Sequence, residues 1–196
     1  MRTSWHAIGF TKTRGWEARD RQDDELQDYE GLLAWCARHG VVSRARARHY
    51  GRVARARPAQ ARRAVAEARA LRAVIYHLLR DIGTGHAPRV EQLDELTGWM
   101  RRYAAARRLV TARGAVTWEW SLDPDRLDHV LAPVAWSAAE LLVSPERARV
   151  RLCDGDDCGW LFVDASRSGT RRWCDMADCG NLAKTRRFRA RLRSAR

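Results

Sequence analysis

The stretch Cys153-Asp154-Gly155-Asp156-Asp157-Cys158, followed after fifteen intervening residues by Cys174-Asp175-Met176-Ala177-Asp178-Cys179, decides how the end of this chain folds. Two short-spaced cysteine pairs of this kind suit one tetrahedral zinc ion, each pair supplying two thiolates from a tight turn. The Asp-Gly-Asp-Asp run provides the turn that brings Cys158 back toward Cys153. Cys153, Cys158, Cys174 and Cys179 are therefore the candidate metal ligands. Four thiolates close the coordination shell and leave no position for water, so the expected Zn2+ is structural rather than catalytic. Iron or an iron–sulfur cluster is the alternative that the same ligand set allows.

Working outward, Val150 and Leu152 alternate with arginines before the first pair, and Trp160, Phe162 and Val163 follow it. Both segments read as short strands, joined to the second pair by a Ser- and Gly-rich turn from Asp164 to Thr170. Cys179 and Gly180 then precede a helix. Knuckle, hairpin, second cysteine pair and helix make the layout of a small α+β treble-clef-like zinc module. A thiolate near a helix start is favoured by backbone N–H groups and the helix dipole. A module of roughly 45 residues has little core, so metal binding is expected to supply much of its folding free energy.

No acid follows Asp178, while Lys184, Arg186, Arg187, Arg189, Arg191, Arg193 and Arg196 all do. At helical spacing Asn181, Lys184, Arg187 and Arg191 share one face, and Arg186, Arg189 and Arg193 a neighbouring one. These are the candidate nucleic-acid contacts, most of them to phosphate, with bidentate guanine contacts open to arginine. Arg171 and Arg172, beside the metal, are expected to fix a docking angle. Phe188 and Leu192 are expected to pack the helix onto the hairpin.

The 196 residues carry a formal net charge of +13, and only Lys12 and Lys184 are lysines. Such a charge favours anionic partners and says nothing of fold. A GC-rich coding genome accounts for part of the arginine bias but not for its placement. Arg38 to Arg72 holds eleven arginines and one acid, Glu67, whereas acids gather at Asp20 to Glu30 and at Glu91 to Glu95. No apolar run reaches about 18 residues, so no membrane span is expected. Met1 to Phe10 has no apolar signal region, so the expected location is the cytoplasm. Disulfides are uncommon there, which favours metal for the paired cysteines.

Residues 1–148 read as a mainly α domain with a short β pair, and residues 149–196 as the zinc module. Leu26, Tyr29, Leu33 and Cys36 predict a helix from Asp24 to His39, stopped by Gly40. Cys36 reads as a small buried side chain. Ser43 to Arg57 is either a solvated helix or a mobile basic connection. Pro58 opens a helix with Ala68, Leu71, Ile75, Leu78 and Ile82 on its core face. His77 and His86 read as packed or solvated rather than ligating. A third helix is predicted from Pro88 to about Arg108, with Leu93, Leu96, Met100 and Tyr103 inward. Val116, Trp118 and Trp120 alternate as a strand. Asp123-Pro124 opens a fourth helix through Leu141, ended by Ser144-Pro145.

The run from Arg171 to Asn181, RRWCDMADCGN, resembles the CGNR zinc-finger family, named for a Cys-Gly-Asn-Arg signature. Trp160-Leu161-Phe162-Val163-Asp164 and Lys184 fit the flanking text, and Leu182 stands at the place of the signature arginine. The preceding region resembles the ABATE domain that accompanies this finger. Phe10, Arg14 and Gly15 are similar to its opening motif, without the asparagine common near Lys12, and Leu32-Leu33-Ala34-Trp35 to its first helix. The resemblance implies a bacterial stress-induced transcription regulator that binds DNA.

The leading expectation is thus a zinc-dependent DNA-binding regulator, its basic helix on DNA and its helical domain sensing a ligand or forming a homodimer. RNA is a close competitor as partner, since arginine-rich segments and exposed tryptophans also serve RNA. A small-molecule binder or enzyme is a second class, with Trp16, Trp35, Trp99, Trp118, Trp120 and Trp136 as pocket material. No Ser-His-Asp spacing, phosphate-cradling glycine loop or catalytic metal motif is present, so a non-enzyme is expected. A zinc-rigidified scaffold for an acidic protein partner is the third class.

Overall fold

The structure, a computed structural model, describes residues 5–15 and 24–194. Trp16, the acids from Asp20 to Asp23, and Arg196 lie outside the described residues. Seven helices are described: α1 (His6–Thr11), α2 (Tyr29–Arg38), α3 (Arg44–Ala56), α4 (Pro58–Gly83), α5 (Val90–Arg102), α6 (Ala132–Val143) and α7 (Asn181–Ser194). Two antiparallel strand pairs interrupt them, β1 (Arg107–Ala112) with β2 (Ala115–Trp120) and β3 (Val150–Leu152) with β4 (Leu161–Val163). The chain is mostly helical, as its periodicity predicts.

α4 is the spine. Pro58 occupies its first turn, where the missing N–H costs nothing. Ala64, Val65, Ala68, Leu71, Ile75, Leu78 and Leu79 form its buried stripe, and α1, α2, α3, α5 and α6 all pack against it. Ser43 Oγ caps α3 by accepting from Arg46 N, so the basic stretch is a helix rather than a mobile connection. Cys36 is fully buried, and burial pushes its thiol up to about 12, as a core side chain requires. His77 and His86 are exposed.

Three boundaries differ from expectation. α2 starts at Tyr29, not Asp24, because the Asp28 carboxylate accepts from Gly31 N and fixes the cap there. Asp24 is diverted to Arg72, although Leu26 is still fully buried. α5 stops at Arg102, and residues 107–112 turn into β1. Arg113 (φ +52°) and Gly114 (φ +79°) supply the two left-handed residues of a tight hairpin, and the pairing of Leu109 with Trp118 outweighs the helical pattern. On α5, Leu93 is exposed and Met100 only partly covered, while Leu96 and Tyr103 are buried. Asp123-Pro124 forms a turn instead of a helix start: Asp123 Oδ1 accepts from Asp125 N, and α6 begins only at Ala132 after a 3-10 turn from Leu127 to Leu131. Tyr50 Oη donates to Asp123 O and Tyr29 Oη to Leu127 O, each at 2.8 Å, so tertiary bonds hold this segment non-helical.

The described tryptophans of that set do not converge on one pocket. Trp35 is buried between Phe10 and His39. Trp99 stacks on Tyr103. The Arg107 guanidinium lies 4.6 Å from the ring centroids of both Trp118 and Trp136 and 5.5 Å from that of Trp120, while Arg107 Nη2 donates to Glu140 at 2.6 Å. This clamp holds the root of the β1–β2 hairpin onto α6.

The zinc-module hairpin joins the same core. Val150 and Leu161 are fully buried within it, and β3 crosses the end of α4 at Gly83. A Cβ on Gly83 would lie 3.0 Å from Leu152 N and 3.1 Å from Arg151 C, so the strand needs glycine there.

The buried Arg72 donates to both Asp24 oxygens at 2.6 Å and to Thr13 Oγ1 at 2.9 Å. Burial acts to raise the Asp24 pKa, but the Arg72 hydrogen bonds hold it below its ordinary value. Truncating Arg72 leaves a carboxylate without its partner. Asp24 keeps about a quarter of its side chain in water, which places the loss for Arg72→Ala near the low end, about 3 kcal/mol by urea denaturation. A lowered folded-state pKa means that the stabilisation is complete above the unfolded value near 3.9 and fades as pH falls through the folded value. The wild-type and Arg72→Ala midpoints therefore converge below about pH 4.

Candidate metal centre and nucleic-acid interface

β3 and β4 deliver the first cysteine pair. Cys153 N donates to Trp160 O at 2.9 Å, which closes the knuckle just beyond the strand pair, and Cys158 N donates to Gly155 O at 3.0 Å. The second pair lies after the 164–170 loop, with Cys179 in a single wide turn (Met176–Gly180) that runs straight into α7. The four sulfurs all lie within 4.8 Å of one another. Cys158 Sγ and Cys179 Sγ each stand 3.7 Å from Cys174 Sγ. Tetrahedral zinc with Zn–S bonds near 2.3 Å requires sulfur separations of about 3.8 Å, so the cluster has the spacing of a metal shell and not of a disulfide. Cys153, Cys174 and Cys179 are buried and Cys158 partly so.

The electrostatics call for a cation. The hydrogen bond from Cys174 draws the Cys158 thiol down, burial holds Cys179 up, and sharing with Cys158 raises Cys174. Such a set cannot ionise fully on its own, and a bound ion deprotonates coordinating thiols. Gly155 N and Cys174 N both donate to Cys153 Sγ, at 3.4 and 3.3 Å, aiming backbone dipoles at one ligand. A Cβ on Gly155 would come within 3.0 Å of Cys158 Cβ and 3.3 Å of Cys179 Sγ, so the knuckle closes only around glycine.

Asp164 holds the frame, a role that the sequence reading missed. It is fully buried. Its Oδ1 accepts from Ser166 N (2.8 Å) and Ser166 Oγ (2.6 Å), and its Oδ2 accepts from Arg171 N (2.9 Å). Burial acts to raise its pKa, yet these donors hold the carboxyl below its usual range. Arg149 Nη1 donates to the carbonyls of Asp164 and Ser166, both at 2.9 Å. The Asp-x-Ser spacing is an Asx-turn signal that was available in the sequence.

The basic residues divide. Arg171 faces inward: its guanidinium donates to the carbonyls of Trp173 and Cys174 and stacks over Phe162 at 4.8 Å. It braces the second knuckle instead of presenting a docking contact. Arg172 pairs with Asp154 at 2.7 Å and lies over Trp173. Arg186 pairs with Asp156 and Asp157 of the first knuckle, and Arg187 lies 5.7 Å over Trp173. Asn181 Nδ2 donates to Ala177 O. Lys184, Arg189, Arg191 and Arg193 are exposed and form no ion pair among the described residues. Phe188 and Leu192 are also open to solvent, 63% and 54% exposed, and do not pack on the hairpin. α7 meets the described residues chiefly at the Met176–Gly180 turn, and none of them provides the expected apolar seat. Leu182, at the signature arginine position, is 44% exposed.

A helical domain that continues into a four-cysteine module with a free basic helix defines a class: a zinc-finger protein with an N-terminal α domain. The family model for the CGNR zinc finger matches residues 149–192, and the ABATE model, described as "Putative stress-induced transcription regulator", matches residues 6–145. The chain belongs to the ABATE family and carries a CGNR zinc finger. No curated protein matches it. No described helix is long and apolar enough to cross a membrane.

The purified chain should hold one zinc, by elemental analysis. Cys174→Ser should abolish stoichiometric binding. Gly155→Val should weaken zinc affinity about 10- to 100-fold in competition with a chromophoric chelator, the scale for residues that support metal ligands. Unchanged affinity in Gly155→Val would show that the knuckle is not closed around the metal as described.

Proposed function

We propose that this protein is a zinc-dependent DNA-binding transcription regulator, in which α7 enters a groove of duplex DNA and the helical domain senses a ligand or forms a dimer. The observation that carries this reading is the exposure of α7. Every charged residue of α7 is cationic, and among the described residues its side-chain ties to the rest of the protein include Arg186 on Asp156 and Asp157 and Arg187 over Trp173, both in its first two turns. A surface helix covers one face with its own protein. A helix lying in the major groove instead has phosphates along both flanks and base edges below, which suits cations on all sides. Phe188 and Leu192 are then available to apolar groups such as thymine methyls. The zinc serves as a mount, and the reading assigns it no catalytic step.

RNA is the second reading, favoured by Trp118, an aromatic side chain 54% exposed on the β1–β2 hairpin, since exposed aromatics are what bases stack on. Fluorescence anisotropy on a duplex selected from random DNA, run beside a structured RNA, separates the two. Arg187→Ala/Arg191→Ala should weaken duplex binding across sequences and lower the slope of log K against log salt by about 2. Removing zinc with a chelator should abolish binding. An unchanged slope in the double variant would remove α7 from the interface.

A further inference from the structure

We propose that the cleft between α2, α3 and the first half of α4 binds an amphipathic organic anion, a molecule with an apolar body and one acidic head. The cleft has a volume of about 990 Å³, a size that takes a small organic ligand. Its walls are apolar: Leu33 and Val65 are buried behind Ala47, Ala61 and Gly51. Its mouth is cationic, with Arg48, Arg52, Arg55 and Arg62 exposed around it. Among the described residues Arg48, Arg55 and Arg62 make no ion pair, and Arg52 meets only the His49 ring, at 3.5 Å. The acids on the wall are Asp28 and Glu30 at the start of α2, and the Asp28 carboxylate is engaged by Gly31 N. The mouth therefore carries a cationic excess directly over an apolar floor.

Gly51 is a second, independent observation. A glycine inside a helix is destabilising relative to alanine. A Cβ at Gly51 would meet only Arg55 Nη1 at 3.7 Å and Leu33 Cδ1 at 3.9 Å, ordinary contacts with two residues that line the cleft. Neither tight packing nor a left-handed backbone demands glycine there. The missing side chain keeps open the floor between an apolar wall and a rim arginine, the place where the junction of body and head would sit. No described tryptophan lines this cleft, and small residues do the enclosing instead.

This inference deepens the sensing half of the proposed function, although binding in the cleft stands without DNA. Isothermal titration of the full-length, zinc-loaded protein tests it, with sodium decanoate as probe and decyl phosphate and decyltrimethylammonium as arms. One equivalent of decanoate should bind, at least ten-fold tighter than the cation. Decyl phosphate binding the tighter of the two acids supports the site and identifies a phosphate head. Arg52→Ala/Arg55→Ala should weaken decanoate at least ten-fold. Gly51→Leu should fill the floor and abolish binding while leaving the melting temperature equal or higher; Ala47→Leu fills it from the next turn and replaces Gly51→Leu if that variant does not fold. Full affinity in the filled variants, or many equivalents bound without response to any variant, overturns the proposal. So does a rim variant that loses duplex DNA but keeps decanoate, which would assign the rim to nucleic acid. Decanoate binding with no duplex binding by the wild type instead overturns the DNA reading and leaves the cleft.

Discussion

Four sulfurs drawn within 4.8 Å of one another cannot all carry charge unless a cation lies among them, and the C-terminal quarter of the chain is organised around that constraint. Cys179 lies two residues before the first residue of α7, so the hold on its sulfur also sets where the helix starts and which way it points. α7 has no buried stripe of its own to fix its direction. Two further ties, Arg186 to Asp156 and Asp157 and Arg187 over Trp173, run to the loop between Cys153 and Cys158 and to the residue before Cys174. Both therefore reach segments that the same coordination shell fixes. For a helix with so little packing, metal binding and helix placement are a single equilibrium.

The knot is itself fastened to a larger body. Val150 and Leu161 sit in the main core, Gly83 lets β3 approach the end of α4, and Trp160 Nε1 donates to Arg14 O at 3.3 Å. Lys12 lies 5.6 Å over the same Trp160 ring. Two strands of three residues each would be marginal alone. Against α4 they form a stable ledge, from which the cysteine knuckles project. α4 also carries Ala61 and Val65 on the wall of the cleft, so one helix of 26 residues connects the proposed ligand site to the ledge under the metal.

Much of this was legible in the sequence, and the failures share a cause. The metal ligands were readable because chelation demands particular atoms at short spacing, a constraint that little else imitates. The buried stripe of α4 was readable because 26 residues give a period time to show itself. What failed was decided by partners distant in sequence. Asp123-Pro124 has the chemistry of a helix start, but Tyr50 and Tyr29 take the carbonyls that a helix would use. The residues after Arg102 keep a helical pattern, but Trp118 recruits Leu109 across a hairpin. Phe188 and Leu192 read as packing residues because apolar side chains usually pack; nothing local in the sequence says that no surface is offered to them. Asp164 escaped notice because a lone aspartate in a polar turn resembles any other until its three donors are seen.

The same contrast governs the arginines. A net charge of +13 treats them as one reservoir, and a charge total alone would assign them all to an anionic partner. Several do internal work instead. Arg72 bonds Asp24, Arg102 bridges Glu67 and Asp128, Arg107 fills a tryptophan clamp, and Arg149 and Arg171 tie carbonyls around the metal knot. Each is spent on a planar, multi-donor arrangement that lysine would not reproduce. Among the described residues, cations without an ion pair then gather around α3 and along α7, on different parts of the molecule. The first stands over an apolar cleft and the second on a helix with open faces. Charge of one sign therefore serves two kinds of surface here, and the distinction between them lies in what stands behind the arginines rather than in their number.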